Sequence, residues 1–328
     1  MKSIGFFLLA ALTSAASMAG AQSVDSRCSD AAIVGAGHEG GDACQKVVDL
    51  YQYMGVQLGT LIAGGNAVLG QGGTLGGFGH FTAELRVNTM RASVPDVSST
   101  GIAVGPAQRS TYEVNEKWVA VPQVDVSVGL FKGIPVGVTY VGGVDAIVSG
   151  AYVPDMKSGA VSVSAPGGSL KLGYGGRLGI MSETALTPGI SVTYLQRELP
   201  TTTITATDVG NTLTVQDLRI TAKSWRLVAS KSFLVLGIAA GIGQDEYRAR
   251  TGLTYDVAGT QPQQPLTLSI APKRTNMFVD LSLTPLPLVR IVGELGRVSG
   301  GDVDTYNRFD PAAGDPRLYG SVGLRIGF

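Results

Sequence analysis

Histidine, cysteine and charge are all scarce in this chain. Of 328 residues, two are His and two are Cys. There is no cysteine cluster of zinc-binding spacing, no HExxH, no Walker A sequence and no EF-hand loop. No metal and no cofactor is therefore expected. Charged residues make up 15%, against about 25% in ordinary soluble proteins. The 25 basic residues balance the 25 acidic ones. That leaves no basic excess for a nucleic-acid partner. After residue 21 there is also no apolar run of about 18 residues, which excludes a helical membrane protein. The chain is nevertheless 44% hydrophobic and holds 46 glycines. Its apolar residues must be spread in another pattern.

The two chain ends show that pattern's context. Residues 1–23 read MKSIGFFLLAALTSAASMAGAQS. Lys2 precedes an apolar core, Ile4 to Leu12, too short to cross a bilayer as a helix. Ala19-Gly20-Ala21 is a small-x-small cleavage site. The expectation is a secretory signal peptide over 1–21 and a mature chain from Gln22. The other end reads LYGSVGLRIGF. Leu318, Gly320, Val322, Leu324, Ile326 and Phe328 fall on one strand face. Tyr319, Ser321, Gly323, Arg325 and Gly327 fall on the other. This terminal strand, closed by Phe328, resembles the last strand of bacterial outer-membrane β-barrels. The resemblance implies that Phe328 carries an assembly signal read by the barrel-assembly machinery, and that the protein sits in lipid in the outer membrane of a Gram-negative bacterium.

The same period-2 alternation recurs along the chain. Phe81, Ala83, Leu85 and Val87 alternate with Thr82, Glu84, Arg86 and Asn88. Similar segments cover 123–130, 136–140, 169–180, 190–194, 216–230, 234–242, 276–283 and 289–295. With the terminal strand they make an all-β, antiparallel, up-and-down transmembrane barrel of about ten strands, within about 8–14. Leu218 and Ile220 share one parity, Trp225 and Leu227 the other, so a bulge is expected near Lys223. Short connections (131–134, 181–188, 231–232, 285–287) alternate with long ones (96–112, 149–168, 199–215, 247–274, 300–316). Such barrels have short periplasmic turns and long external loops. Tyr112, Trp118, Tyr152, Tyr194, Tyr247 and Tyr319 lie near strand ends, where interfacial aromatics belong. The barrel domain is read as 79–328.

Residues 22–78 form a separate N-terminal segment. AAIVGAGHEGG at 31–41 matches the dinucleotide-binding glycine pattern. No second strand ending in an acidic residue follows about 20 residues on, so no dinucleotide site is expected. Cys28 and Cys44 lie in an exported chain, where oxidation is permitted. A disulfide between them would close a loop worth ~3 kcal/mol. A free pair or a metal pair is the alternative. Val47, Leu50, Tyr51, Met54, Leu58, Leu61 and Ile62 recur at helical spacing over 43–63. Asp42 is a candidate cap, and Gly64-Gly65 a stop. This helix must bury its apolar stripe. It can plug the lumen, pack at the periplasmic rim or lie in the interface. Its sparse charge favours plug or rim.

The predicted lumen face carries both signs of charge. Glu84, Asp125, Asp145, Asp280 and Glu294 point inward, as do Arg86, Lys171, Arg177, Arg197, Arg290 and Arg325. They form either an internal salt-bridge network or a polar pore lining. His38 falls in the disulfide loop and His80 at the start of the first strand. Neither suits the outer-leaflet histidine chemistry that outer-membrane enzymes use, so no catalytic residue is expected. Two readings of function follow. One is a narrow channel or transporter for a small hydrophobic solute, gated by an N-terminal plug. At the level of architecture alone it is similar to the outer-membrane long-chain fatty-acid channels. The other is a non-conducting barrel that acts as an adhesin or envelope-structural protein through its long loops.

Overall fold

The structure is a computed structural model that describes residues 23–328 apart from 30–39, 98–99, 104, 159–160, 209–210, 257–265 and 302. The signal peptide, His38 and most of the AAIVGAGHEGG stretch lie outside the described residues. Ten strands make the barrel. They are β1 Phe81–Pro95, β2 Val114–Phe131, β3 Val144–Tyr152, β4 Leu170–Met181 and β5 Gly189–Glu198. The second half is β6 Asn211–Phe233, β7 Leu236–Asp256, β8 Lys273–Leu286, β9 Val289–Ser299 and β10 Arg317–Gly327. Each pairs antiparallel with its neighbours in sequence. β10 returns to β1, from Thr82 opposite Gly327 to Met90 opposite Tyr319, and closes the ring.

Closure matters because an open sheet edge would leave unpaired backbone groups in lipid. The terminal residue completes the seam. Phe81 and Phe328 exchange backbone hydrogen bonds of 3.1 and 2.9 Å, and their rings stack at 4.9 Å.

Period-2 alternation then sorts side chains by face. One outward row runs Val124, Leu85, Leu324, Ile291, Leu283, Leu236 across six neighbouring strands. Every member is between 43% and 60% exposed. A soluble monomer rarely exposes a contiguous apolar patch beyond a few hundred Å², whereas this belt suits acyl chains. The inward residues of the same strands are buried Glu, Asp, Arg, Asn and Ser.

Several local expectations are corrected. Residues 136–140 do not form a barrel strand. Ile134–Val136 and Thr139–Val141 make a small hairpin in the turn, and β3 supplies the third wall strand. Lys223 does not sit in a bulge. The register shift lies between Gln216 and Arg219, and even-numbered residues from Leu218 to Ser230 all face inward. Leu218 and Ile220 are apolar because the inside of β6 packs on a helix at that height. β6 and β7, at 23 and 21 residues, also outrun the roughly 9–11 residues a membrane crossing needs. Of the six candidate girdle aromatics, Trp118, Tyr152 and Tyr194 are exposed on the outside. Tyr112, Tyr247 and Tyr319 are buried.

Helix α1 runs Gly41–Ala63. It packs against β1, β2, β5, β6 and β7. Val47, Val48, Tyr51, Leu61 and Ile62 share one cluster with Leu218, Ile220, Ala249 and Leu253. Gly59 allows the close approach to β7, because a Cβ there would lie 2.5 Å from Cγ of the buried Tyr247 ring. At Gly55 a Cβ would meet only the tip of Ile270. Gly59→Val should therefore cost about 1–3 kcal/mol as an overpacked core does, and Gly55→Ala much less. Urea unfolding of the two variants in detergent micelles checks the ranking, and equal costs would contradict it.

Candidate functional site

An α-helix leaves its last four carbonyls without intrahelical partners. In α1 these belong to Thr60, Leu61, Ile62 and Ala63, and each is met. Thr60 O accepts from Gly64 N at 3.2 Å. The others accept from the barrel wall: Leu61 O from Asn88 Nδ2 at 3.1 Å, Ile62 O from Gln123 Nε2 at 2.9 Å, and Ala63 O from Arg197 Nη1 at 2.6 Å. These donors stand on β1, β2 and β5.

The chain beyond the helix is held the same way. Gly64, at φ +58°, turns it, and its carbonyl accepts from Arg226 at 3.1 Å and Asn276 at 2.9 Å. Asn66 O accepts from Arg86 Nη1 at 2.6 Å. Amides find carboxylates. Gly65 N and Asn66 N donate to Glu294 at 3.1 and 2.6 Å, Leu69 N to Glu84 at 3.0 Å, and Gly70 N to Asp280 at 2.8 Å. Leu75 N donates to both oxygens of Asp145 at 3.2 Å. The barrel interior thus reads the backbone of 61–66 residue by residue and meets it again at Leu69, Gly70 and Leu75.

The charges that do this are paired with one another. Arg86 and Arg197 share Asp125 at 2.9 and 3.2 Å, Arg177 holds Asp145 at 2.8 Å, and Arg226 holds Asp245. A buried charge is tolerated only when paired and hydrogen-bonded. Cations at the C-terminal end of a helix also complement its dipole. The expected inward positions Glu84, Arg86, Asp125, Asp145, Arg177, Arg197, Asp280, Glu294 and Arg325 are all buried, and Arg290 is half-buried. Lys171 is the exception. Its side chain is 48% exposed and pairs at 3.7 Å with Glu198.

At the long-loop end the helix start is clasped by loops. Asp42 does not cap the helix, whose N-cap is Gly40. It accepts instead from Ala103 N and Gln108 N at 2.7 and 2.9 Å and pairs with Lys46. Asp49 accepts from Tyr306 N at 3.1 Å and Asn307 N at 2.8 Å. Tyr53, Phe309 and Tyr112 stack in sequence, with centroids 4.3 and 5.0 Å apart. Leu50 and Met54 of the expected apolar stripe pack here, and Leu58 packs against the barrel cluster. Burial pushes the Tyr112 hydroxyl up to about 12. Cys28 and Cys44 form a disulfide that ties the short helix Ser26–Ser29 to α1. Arg27 there holds the Asp25 carboxyl below the usual range, chiefly through their side-chain hydrogen bond. It also donates to Thr267 O of the short strand Leu266–Ile270, which pairs with β7.

Sequence reasoning missed Arg226, Asp245, Asn88, Gln123 and Asn276. Arg226 was hidden by the apparent parity change, and Asp245 lies past the expected end of its strand. Asn88 and Gln123 sat on the polar faces of their strands but carry no charge to draw notice.

No protein-family model matches the chain, and no curated protein matches its sequence. Among solved structures it is similar to Neisserial surface protein A, at 8% identity and TM-score 0.31, over 76% of this chain and 97% of that one. It is similar to the translocator domain of autotransporter NalP from Neisseria meningitidis, at 9% identity and TM-score 0.41, over 76% and 86%. It is also similar to the toluene transporter TbuX of Ralstonia pickettii, at 14% identity and TM-score 0.29, over 81% and 92%.

Two substitutions probe the clasp around the helix end. Arg226→Met leaves Asp245 buried without its cation and should cost about 3–5 kcal/mol. Gln123→Ala orphans one carbonyl and should cost about 1–3 kcal/mol. Urea unfolding in detergent micelles, followed by gel mobility of unheated samples, measures both, and a neutral Arg226→Met would contradict the assignment. The closed ring, its apolar outer belt and its terminal Phe strand together make the chain an outer-membrane β-barrel of ten strands.

Proposed function

We propose that this protein is a barrel sealed by its own N-terminal segment, non-conducting in the folded state, that works without catalysis through its long-loop face as a surface or envelope-structural element. One observation carries the reading. The backbone of 61–75 is bonded to inward side chains of β1, β2, β3, β5, β6, β8 and β9. A ten-stranded ring is only a little wider than the eight-stranded ones that side chains alone fill. A helix buried on most of its surface occupies what remains. The loop residues 101–103, 105–110 and 303–316 are built onto that helix at the external end, so the segment supports the outer surface as well as closing the lumen.

The channel reading retains one supporting feature. Beyond Gly70 the segment is glycine-rich, with positive φ at Gly70, Gly76, Gly77 and Gly79, which suits a hinge for a movable plug. The larger cavity of the short-turn end is lined mainly by polar and charged groups, which does not favour a hydrophobic cargo, although Leu75, Pro287, Leu288, Val289 and Phe328 wall the smaller one beside it.

Planar-bilayer conductance of the refolded mature chain decides between the two readings. The full chain should be silent. A variant lacking residues 22–78, once its heat-shifted gel mobility shows a folded barrel, should pass ions. Steady conductance by the full chain would overturn the sealed-barrel reading.

A further inference from the structure

A cavity of about 600 Å³ opens at the short-turn end, beneath the strap that follows α1. Its wall includes Lys132, Tyr140, Glu183, Ser232, Arg290 and Arg325. A second cavity, of about 200 Å³, adjoins it and shares Gln71, Leu75, Arg290 and Arg325. The size of the larger one suits a small-molecule group.

The two arginines are the unusual feature. Arg290 on β9 and Arg325 on β10 are direct cross-strand partners, and like charges directly opposite each other destabilise a sheet. Arg86, Arg177, Arg197 and Arg226 each hold a carboxylate. Among the described residues Arg290 and Arg325 form no ion pair within 4 Å. Arg325 is 5% exposed and donates one N–H to Leu69 O. Arg290 donates to Thr284 Oγ1 at 3.2 Å and Gly70 O at 3.5 Å. A guanidinium carries five N–H donors, so both forks keep donors to spare.

The acids nearby are partly engaged, Glu84 and Asp280 each through one oxygen, the other being buried without a hydrogen-bond partner. Glu84, opposite Arg325 across the β1 seam, binds Leu69 N and lies 3.7 Å from Arg86. Asp280 accepts from Gly70 N and Asn66 Nδ2. Glu183 accepts from Ser230 Oγ at 3.1 Å and Ser232 N at 2.6 Å. On the wall of the larger cavity itself, Lys132, Arg290 and Arg325 face one carboxylate, Glu183, a local excess of positive charge that Glu84 and Asp280 offset only from behind the wall, on the Arg325 side. An oxyanion bridging the two forks would turn a repulsive pair into a charge-assisted one. A phosphate group, with about −1.5 to −2 charges near pH 7 and three acceptor oxygens, matches that excess better than a single carboxylate.

We propose that the short-turn cavity is a phosphate-binding site in which Arg290 and Arg325 grip the oxyanion and Lys132 adds charge from the opposite turn. The phosphate can be free or on a lipid headgroup, since the adjoining smaller cavity is walled by Leu288 and Phe328, both exposed apolar residues. Two measurements on the full chain test this. The first is calorimetric titration with inorganic phosphate in zwitterionic detergent. The second is native mass spectrometry of lipids retained from phosphatidylglycerol against phosphatidylcholine nanodiscs. Arg290→Gln and Lys132→Gln should each weaken one-site phosphate binding at least about tenfold while keeping the heat-shifted mobility of a folded barrel. Arg248→Gln, on the outer arm of β7, should leave it unchanged. Lys132 lies in a turn, so its variant carries the test if Arg290→Gln fails to fold. Retention of one phosphatidylglycerol, lost in these two variants, without binding of free phosphate would identify the headgroup as the source. Absence of both kinds of binding, or binding indifferent to both variants, would overturn the proposal.

Discussion

A helix that ends inside a closed barrel must find partners for its last carbonyls where no bulk water reaches. Much of this structure follows from that requirement. The C-terminus of α1 stops partway down the lumen, and Asn88, Gln123 and Arg197 meet its three open carbonyls from three different strands. Those side chains must therefore stand at one height on the inner wall. The guanidiniums that donate to this backbone need counter-charges, which Asp125 provides to Arg86 and Arg197 and Asp245 to Arg226. One unmet backbone group would cost about 1–3 kcal/mol, a large share of a typical domain's net stability. The arrangement is thus constrained from both sides, by the plug's carbonyls and by the wall's charges.

The lumen divides by height, and each level uses a different interaction. At the long-loop end the helix is held by apolar packing on β6 and β7 and by loop amides that converge on Asp42 and Asp49. At mid-height it is held by wall side chains that read its terminal carbonyls. Toward the short-turn end only an extended glycine-rich strap remains, and it passes so near the wall that a Cβ at Gly72 would lie 2.6 Å from Ser230 N. The strap leaves space beside it, which the helix does not. The unpaired Arg290 and Arg325 occur at this level, where the plug no longer supplies enough acceptors to match them.

Glu84, Arg86 and Asp125 were legible because strict alternation leaves a charged residue only the inner face of a lipid-facing strand. Arg226 was not. Leu218 and Ile220 broke the apolar-out rule, since a helix rather than water lies inside β6 at that point. The same substitution of helix for water put Tyr247 and Tyr319 indoors instead of at the membrane interface. Asp42 sat where a helix cap is expected, but loop amides from residues 103 and 108 recruited its carboxylate. Each departure occurs where a segment distant in sequence covers the strand or the helix.

Alternating apolarity, a terminal Phe strand and the rhythm of long and short connections determined by themselves that this chain forms an antiparallel barrel of about ten strands with lipid outside, though not which segment supplies the third strand. Those features are local, and a period of two needs no knowledge of what lies across the ring. Helical spacing likewise determined that residues 43–63 carry an apolar stripe needing cover. Only the tertiary structure decided that α1 packs on the barrel wall and that inward Arg197, Arg226 and Asn276 meet the carbonyls of Ala63 and Gly64. It also decided which charges found partners and which did not. The reason is physical: hydrogen bonds such as those from Arg226 to Gly64 join residues 162 apart in the chain, and no local pattern specifies which remote group a side chain will meet.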